Sequence, residues 1–313
     1  MTQTLAERAV TRTPARRTVT QAVEPNGPRP IPFNKARLGI YLALIIAAIF
    51  FLIPLWVTLV TSFKTMDEIR IGNIVALPAS PTVEPWLRAW SSACTGLACN
   101  GISVGFWNSV RILVPSVIAS ISLGAITGYA MSFYRVPGAG ILFMILLVGA
   151  FIPYQVFLYP LIRIFSTLGI YNTLAGIVTV HVIFGLPLMT LLFRNYYSAL
   201  PVELFNAGRV DGAGFLQIFR HVILPMSAPI IIVAAILQVT GIWNDFILGL
   251  TFAGRDNRPM TVLLNNIVNS TQGERAYNVN MAATLLTALV PLVVYLVSGR
   301  WFVRGIAAGA VKG

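Results

Sequence analysis

Seven side chains combine polar or aromatic chemistry with strongly apolar surroundings: Tyr154, Gln155, His181, Gln238, Trp243, Asn244 and Asp245. A polar group inside a long apolar run is costly in lipid, so it faces a cavity or a partner on a neighbouring helix. Amides and an acid match hydroxyl groups, and aromatic faces stack on apolar ring surfaces. The competing reading for each residue is a helix–helix hydrogen bond within a bundle. Gln155 is the first choice for a ligand contact, because Pro153 close before it frees backbone groups nearby. Asn244 and Asp245 could instead support an outer gate.

Other chemistries are excluded by residue type and spacing. The histidines, His181 and His221, are far apart and lack spaced acids, so no metal site is expected. A Walker A loop needs Gly-Lys-Ser/Thr, and none of Lys35, Lys64 and Lys312 follows a glycine. The sequence therefore predicts no catalytic residues and no cofactor held by this chain.

Elements of one kind must position these residues. The chain is 57% hydrophobic and 10% charged, where a soluble domain carries about a quarter charged residues. Its mean hydropathy of +0.79 suits lipid as solvent. A helical span needs about 20 apolar residues. Six stretches qualify: 40–62, 109–134, 141–165, 174–193, 229–252 and 281–302. They are continuous rather than alternating runs, which excludes a β-barrel. The expected fold class is an all-α membrane protein of six transmembrane helices.

The net charge of +12 does not indicate nucleic acid. The basic residues are scattered between spans or gathered near the N-terminus, where anionic lipid is the simpler partner. Residues 1–36 are polar and basic, without an apolar signal core, and are expected to form a disordered cytoplasmic tail. The Lys and Arg bias at span ends favours an inside N-terminus, and six spans return the C-terminus to the same side. Cys94 and Cys99 then fall in an outer loop, as a disulfide or as two free thiols.

The inner loop 194–228 holds the strongest pattern. Pro201 is expected at the first position of a short helix, with Glu203 in its first turn, where the macrodipole favours an acid. Gly212 and Gly214 break that helix. A second amphipathic segment follows, with Phe215, Ile218, Phe219 and Val222 at helical spacing. Pro225 and Pro229 mark the return into the membrane. Two short helices joined by a glycine turn make a lever that another protein could grip.

This loop resembles the coupling loop of binding-protein-dependent ABC importer permeases, the EAA motif. That pattern is Glu-Ala-Ala, three residues, Gly, nine residues, Ile, any residue, Leu-Pro. Here Asn206, Ala207 and Gly208 take the first three places, Gly212 follows at the right spacing, and Val222, Ile223, Leu224 and Pro225 close it. Asp211-Gly212-Ala213 also matches many members. The departures are Asn206 for the acid, Gly208 for alanine and Val222 for isoleucine. Asn206 can hydrogen-bond to an ATPase cleft but cannot form the family's salt bridge.

Three further stretches resemble carbohydrate-uptake permeases of the maltose-transporter type. They are Pro81-Thr82-Val83-Glu84, then Trp243-Asn244-Asp245-Phe246, and the C-terminal run from Arg300 through Gly313. The resemblance implies a type I importer permease fold, with the permease domain over 37–313 and a C-terminal tail over 303–313. It implies the smaller, six-span subunit of a permease pair in a bacterial inner membrane. Its implied partners are a second permease, an ATPase dimer that holds ATP and Mg, a periplasmic sugar-binding protein, lipid and a sugar. Alternatives are a same-architecture permease for another solute, an ion-coupled secondary transporter, or a membrane enzyme.

Overall fold

The computed structural model describes residues 35–96, 98–269 and 275–310, the last stretch from 300 onward in its backbone only. Among the described residues every regular element is helical. The first is α1, Lys35–Thr61. The chain divides into one unit up to Leu52 and a second from Ile53. The first unit contributes the apolar start of α1, whose side chains from Leu38 to Leu52 are exposed. The tail expected over 1–36 falls outside the described residues up to 34; Lys35 and Ala36 already belong to α1.

The second unit is built around two long helices, α4 (Ser103–Phe133) and α7 (Leu174–Ser198). Before them lie the short α2 (Met66–Ile71) and α3 (Glu84–Ser91). Small residues let α4 and α7 approach closely. A Cβ added at Gly124 would lie 2.4 Å from Met189 Cβ, and one at Gly128 would lie 2.8 Å from Phe193 Cβ. Small-residue contacts of this kind drive helix association in lipid, where apolar burial between helices offers little. Ser116 and Ser120 lie in the same buried stretch and return their hydroxyls to carbonyls of their own helix.

Three apolar clusters are strung along α4. The first gathers Ala89, Ile102, Met260 and Val279. The second gathers Ile112, Phe165, Ile177 and Phe252. The third gathers Tyr129, Phe193, Phe205 and Ile218. A buried lysine secures the first end: Lys64, 2% exposed, donates from Nζ to Asn73 O at 2.9 Å. Asn278 Nδ2 donates to Lys64 O at 2.9 Å.

Two expected spans are not continuous. The third runs as α5 (Ala139–Phe151), a single 3₁₀ turn over Tyr154–Phe157, and α6 (Leu158–Thr167). Its two halves are bent by 102°. Pro153 supplies no N–H and holds Ile152 in extended backbone, so the helix stops there. The fifth, expected over 229–252, is α11 (Ala228–Trp243) followed by a separate α12 (Ile247–Phe252). Four single helices are long and apolar enough to cross a membrane, and two bent pairs bring the number to as many as six.

After α7 come α8 (Val202–Val210), α9 (Phe215–Ile218), a π turn over Phe219–Ile223 and α10 (Leu224–Met226). The chain then bends by 79° into α11. The carbonyls freed at this bend are partnered: Ser227 Oγ donates to Ile223 O at 2.6 Å and Tyr196 OH to Met226 O at 2.8 Å. Last are α13 (Met260–Val268) and α14 (Tyr277–Ala310). The backbone stays helical to Ala310, so 303–310 continues the sixth helix; 311–313 lie outside the described residues.

The α4–α7 contact makes a direct prediction. Gly124→Ala forces the helices apart and is expected to cost about 1–3 kcal/mol. Gly140→Ala, whose added Cβ meets nothing within 4 Å, is the control. Thermal unfolding in lipid nanodiscs reads both; equal melting temperatures would mean that α4 and α7 separate freely.

Candidate functional site

The two breaks border one cavity of about 820 Å³. The break after α5 contributes Ile152 and Tyr154. Helix α7 contributes His181, Phe184 and Gly185, and α11 contributes Gln238. The break after α11 contributes Asn244, Asp245 and Phe246. Five of the seven residues expected from sequence therefore meet in one place: Tyr154, His181, Gln238, Asn244 and Asp245.

Asp245 explains why α11 stops. Its carboxylate accepts from Leu248 N at 3.2 Å and from Gly249 N at 2.8 Å. It thereby satisfies two amides at the start of α12, which no helix would otherwise partner. Its own carbonyl accepts from Thr261 Oγ1 at 2.5 Å. Oδ2 also lies 3.9 Å from His181 Nε2, with both side chains largely buried. The carboxylate thus shapes the cavity wall.

Gln238 is held differently. Its side chain is 7% exposed, and Nε2 has no hydrogen-bond partner. The space it occupies exists because residue 185 is glycine: a Cβ there would lie 2.2 Å from Nε2. Tyr154 stands on the opposing break, its ring 5.9 Å from that of Phe184.

Two expected contacts lie elsewhere. Gln155 is exposed and does not line the cavity. It follows Tyr154 in a 3₁₀ turn, where neighbours are separated by about a third of a turn, so the two cannot share a direction. Trp243 is 1% exposed and packs in the first apolar cluster. Its Nε1 donates to Thr287 O at 3.0 Å, fastening α11 to α14. Gly185 carried no signal in sequence, because a glycine in an apolar run reads as neutral until its neighbour is known.

The hairpin after α7 is a second built feature. Pro201 sits at the N-cap of α8 rather than inside it, and Glu203 lies in the first turn. Asp211 ends the helix; Gly212 takes φ +78°, a left-handed conformation suited to glycine. Ala213 N donates to Gly208 O and Gly212 N to Arg209 O, both at 3.0 Å, closing the turn. Gly208 lets α9 approach, with a Cβ there 3.3 Å from Ile218 Cγ1. Gly214 caps α9, its N–H donating to Gln217 Oε1 at 2.8 Å.

Aromatic packing fixes this hairpin to α4. Phe205 is 2% exposed and stacks on Phe133 with centroids 4.8 Å apart and planes 21° apart. Tyr129 OH donates to Phe215 O at 3.3 Å. Glu203, Asn206, Ala207, Asp211 and Gly212 lie exposed, with Leu224 and Pro225 exposed beyond the π turn. Gly208 and Ala213 are half-buried on the inner side. At the far end of the second unit Cys94 and Cys99 are joined by a disulfide. Asn266 Nδ2 donates to Thr95 O within that loop at 3.0 Å.

Residues 120–308, which hold the hairpin and the cavity, match the family model described as binding-protein-dependent transport system inner membrane component. The chain belongs to this family. The permease is 34% identical over 281 residues to a probable ABC transporter permease protein of Pyrococcus horikoshii, covering 90% of this chain and 98% of that one. It is 30% identical over 291 residues to a glucose import system permease protein of Saccharolobus solfataricus, covering 90% and 98%. Its fold is similar to a chain in the crystal structure of a bacterial ABC transporter involved in the import of the acidic polysaccharide alginate. The TM-score is 0.71 at 18% identity, over 87% of this chain and 99% of that one. The type I permease fold, the six-span class and membership of an inner membrane transport system agree with the sequence reading.

The aromatic seat makes a prediction about the permease. Phe205→Ala removes a buried ring, a change that costs about 3–5 kcal/mol in a packed core. Amides of 202–218 are expected to exchange faster with deuterium while those of α13 stay unchanged. Unaltered exchange across the hairpin would mean that it holds its position without the ring.

Proposed function

We propose that this chain is one of two permease subunits of an ATP-driven sugar importer. The observation that carries the reading is the hairpin: exposed Glu203, Asn206 and Ala207 stand on a glycine turn that is locked to α4 through Phe205. A surface that is rigid on one side and free on the other suits transmission of a push. The sugar-import name of the Saccharolobus solfataricus relative supports the substrate class.

In this reading an ATPase dimer binds ATP and Mg and closes beneath the membrane. The chain itself carries no Walker A motif. Closure moves the hairpin, and the hairpin moves α4 and α7 with it. Asn206 contributes hydrogen bonding to the ATPase cleft, and Glu203 supplies the negative charge nearby. Leu224 and Pro225 border the same docking face. A sugar-loaded binding protein docks on the opposite side, over the disulfide loop at Cys94 and Cys99. Both termini face the cytoplasm, and the permease domain begins with α1 at Lys35. The second permease supplies the other half of the path.

The test is ATP hydrolysis by the reconstituted complex, with and without the loaded binding protein. Strong stimulation is expected. Gly212→Val places a β-branched residue at positive φ, a genuine strain there. It is expected to abolish stimulation while the permease pair still assembles. Absence of any co-purifying ATPase, with uptake following an ion gradient instead, would refute the importer reading.

A further inference from the structure

We infer that this chain itself holds the transported molecule, that the molecule is a neutral saccharide, and that the Gln238 amide reads one of its hydroxyls. The inference rests on the sugar-importer reading and adds where and how this subunit makes contact.

Three observations converge on Gln238. Its side chain lies on the wall of the 820 Å³ cavity, a volume within the range of small-ligand sites, about 300–1,000 Å³. Nε2 is buried and has no partner. Nε2 is packed against Gly185, so an amide left so is costly until a small shift of the side chain lets an acceptor in the cavity reach it. Finally, Gly185 leaves room for the amide with nothing to spare, since any Cβ would strike Nε2. The packing therefore fixes the amide in place while leaving its hydrogen bond unmade.

The rest of the lining sets the charge of the occupant. Among the described residues it contains no lysine or arginine. The formal negative charge is Asp245, whose oxygens are turned to Leu248 N and Gly249 N, with His181 Nε2 at 3.9 Å. A carboxylate- or phosphate-bearing sugar would meet this charge with no cation from this chain to answer it, and like charges brought together in a low-dielectric cavity repel strongly. A neutral saccharide meets what is present: the Gln238 and Asn244 amides and the Tyr154 phenol for hydroxyls, and the Tyr154 and Phe184 rings for its C–H faces. The alginate importer, of similar fold, is involved in import of an acidic polysaccharide. The fold is shared, but charge selection is made by the lining.

The experiment uses the full complex of both permeases and the ATPase in nanodiscs, held outward-facing with a non-hydrolysable nucleotide and free of binding protein. Titration calorimetry is run with neutral probes (glucose, xylose, maltotetraose, raffinose) and acidic probes (galacturonate, trigalacturonate). At least one neutral probe is expected to bind and the acidic probes not to. Gln238→Leu is expected to weaken binding about tenfold, the size of one ordinary hydrogen bond. Gly185→Ala is expected to weaken it similarly by displacing the amide, and Gln238→Asn to recover part of the loss. If Gln238→Leu fails to assemble, Gly185→Ala and Gln238→Asn decide. Binding of acidic probes as tight as neutral ones, or variants equal to wild type, overturns the inference. If no probe binds while loaded binding protein still stimulates hydrolysis, this inference fails and the importer reading stands. If stimulation is absent too, both fail.

Discussion

A peptide group inside hydrocarbon has no water to bond, so the backbone of this permease can leave the helix only where protein or a wetted cavity takes over its hydrogen bonds. Each break in the chain meets that condition. At the bend before α11, Ser227 and Tyr196 take the freed carbonyls of Ile223 and Met226. After α11, the Asp245 carboxylate takes the amides of Leu248 and Gly249. At Pro153 the missing N–H removes one obligation outright. The breaks at Ile152–Tyr154 and Asn244–Phe246 then face each other across the cavity. Irregular backbone and polar lining occur together because one physical constraint produces both.

Helix α4 connects the far-apart parts of the second unit. It contributes Ile112 to the cluster near the cavity and Tyr129 to the cluster that seats the hairpin. Its glycines leave little play against α7. Close-packed interiors transmit displacement rather than absorb it. The wall that carries His181 and Gly185 lies on α7, the helix packed closely against α4. The aromatic contacts around Phe205 belong to the same compact unit as the cavity.

The departures from the family pattern fall in chemically coherent places. Asn206 is exposed, so exchanging a charge for an amide there changes a surface contact and leaves the interior untouched. Gly208 replaces alanine where α9 comes close, and Val222 replaces isoleucine in a half-buried position of the π turn. A shared fold constrains the frame far more tightly than the residues that meet a ligand or partner.

Much of this was legible from residue order alone. Long apolar runs mean helices in lipid, because nothing else pairs the backbone there. Gly212 and Gly214 at their spacing from Leu224 and Pro225 mark the hairpin, because a left-handed turn is a local property of glycine. By sequence Pro153 only frees backbone groups within a continuous span over 141–165, and the break it makes there came from the structure. Asp245 as the cap of α12 was hidden, since the apolar run from 229 to 252 continues through it. Which polar residues share the cavity was not written locally at all. Gln155 was the first choice and Trp243 was as plausible as Gln238, but a side chain's direction depends on the rotation of its helix against its neighbours. That rotation is set by contacts such as Gly124 on Met189 and Gly185 against Gln238, between residues tens of positions apart in the chain. The sequence determined where the apolar helices form; only the tertiary structure decided where two of them break and which faces look at one another, because facing is a property of pairs of helices and not of any one of them.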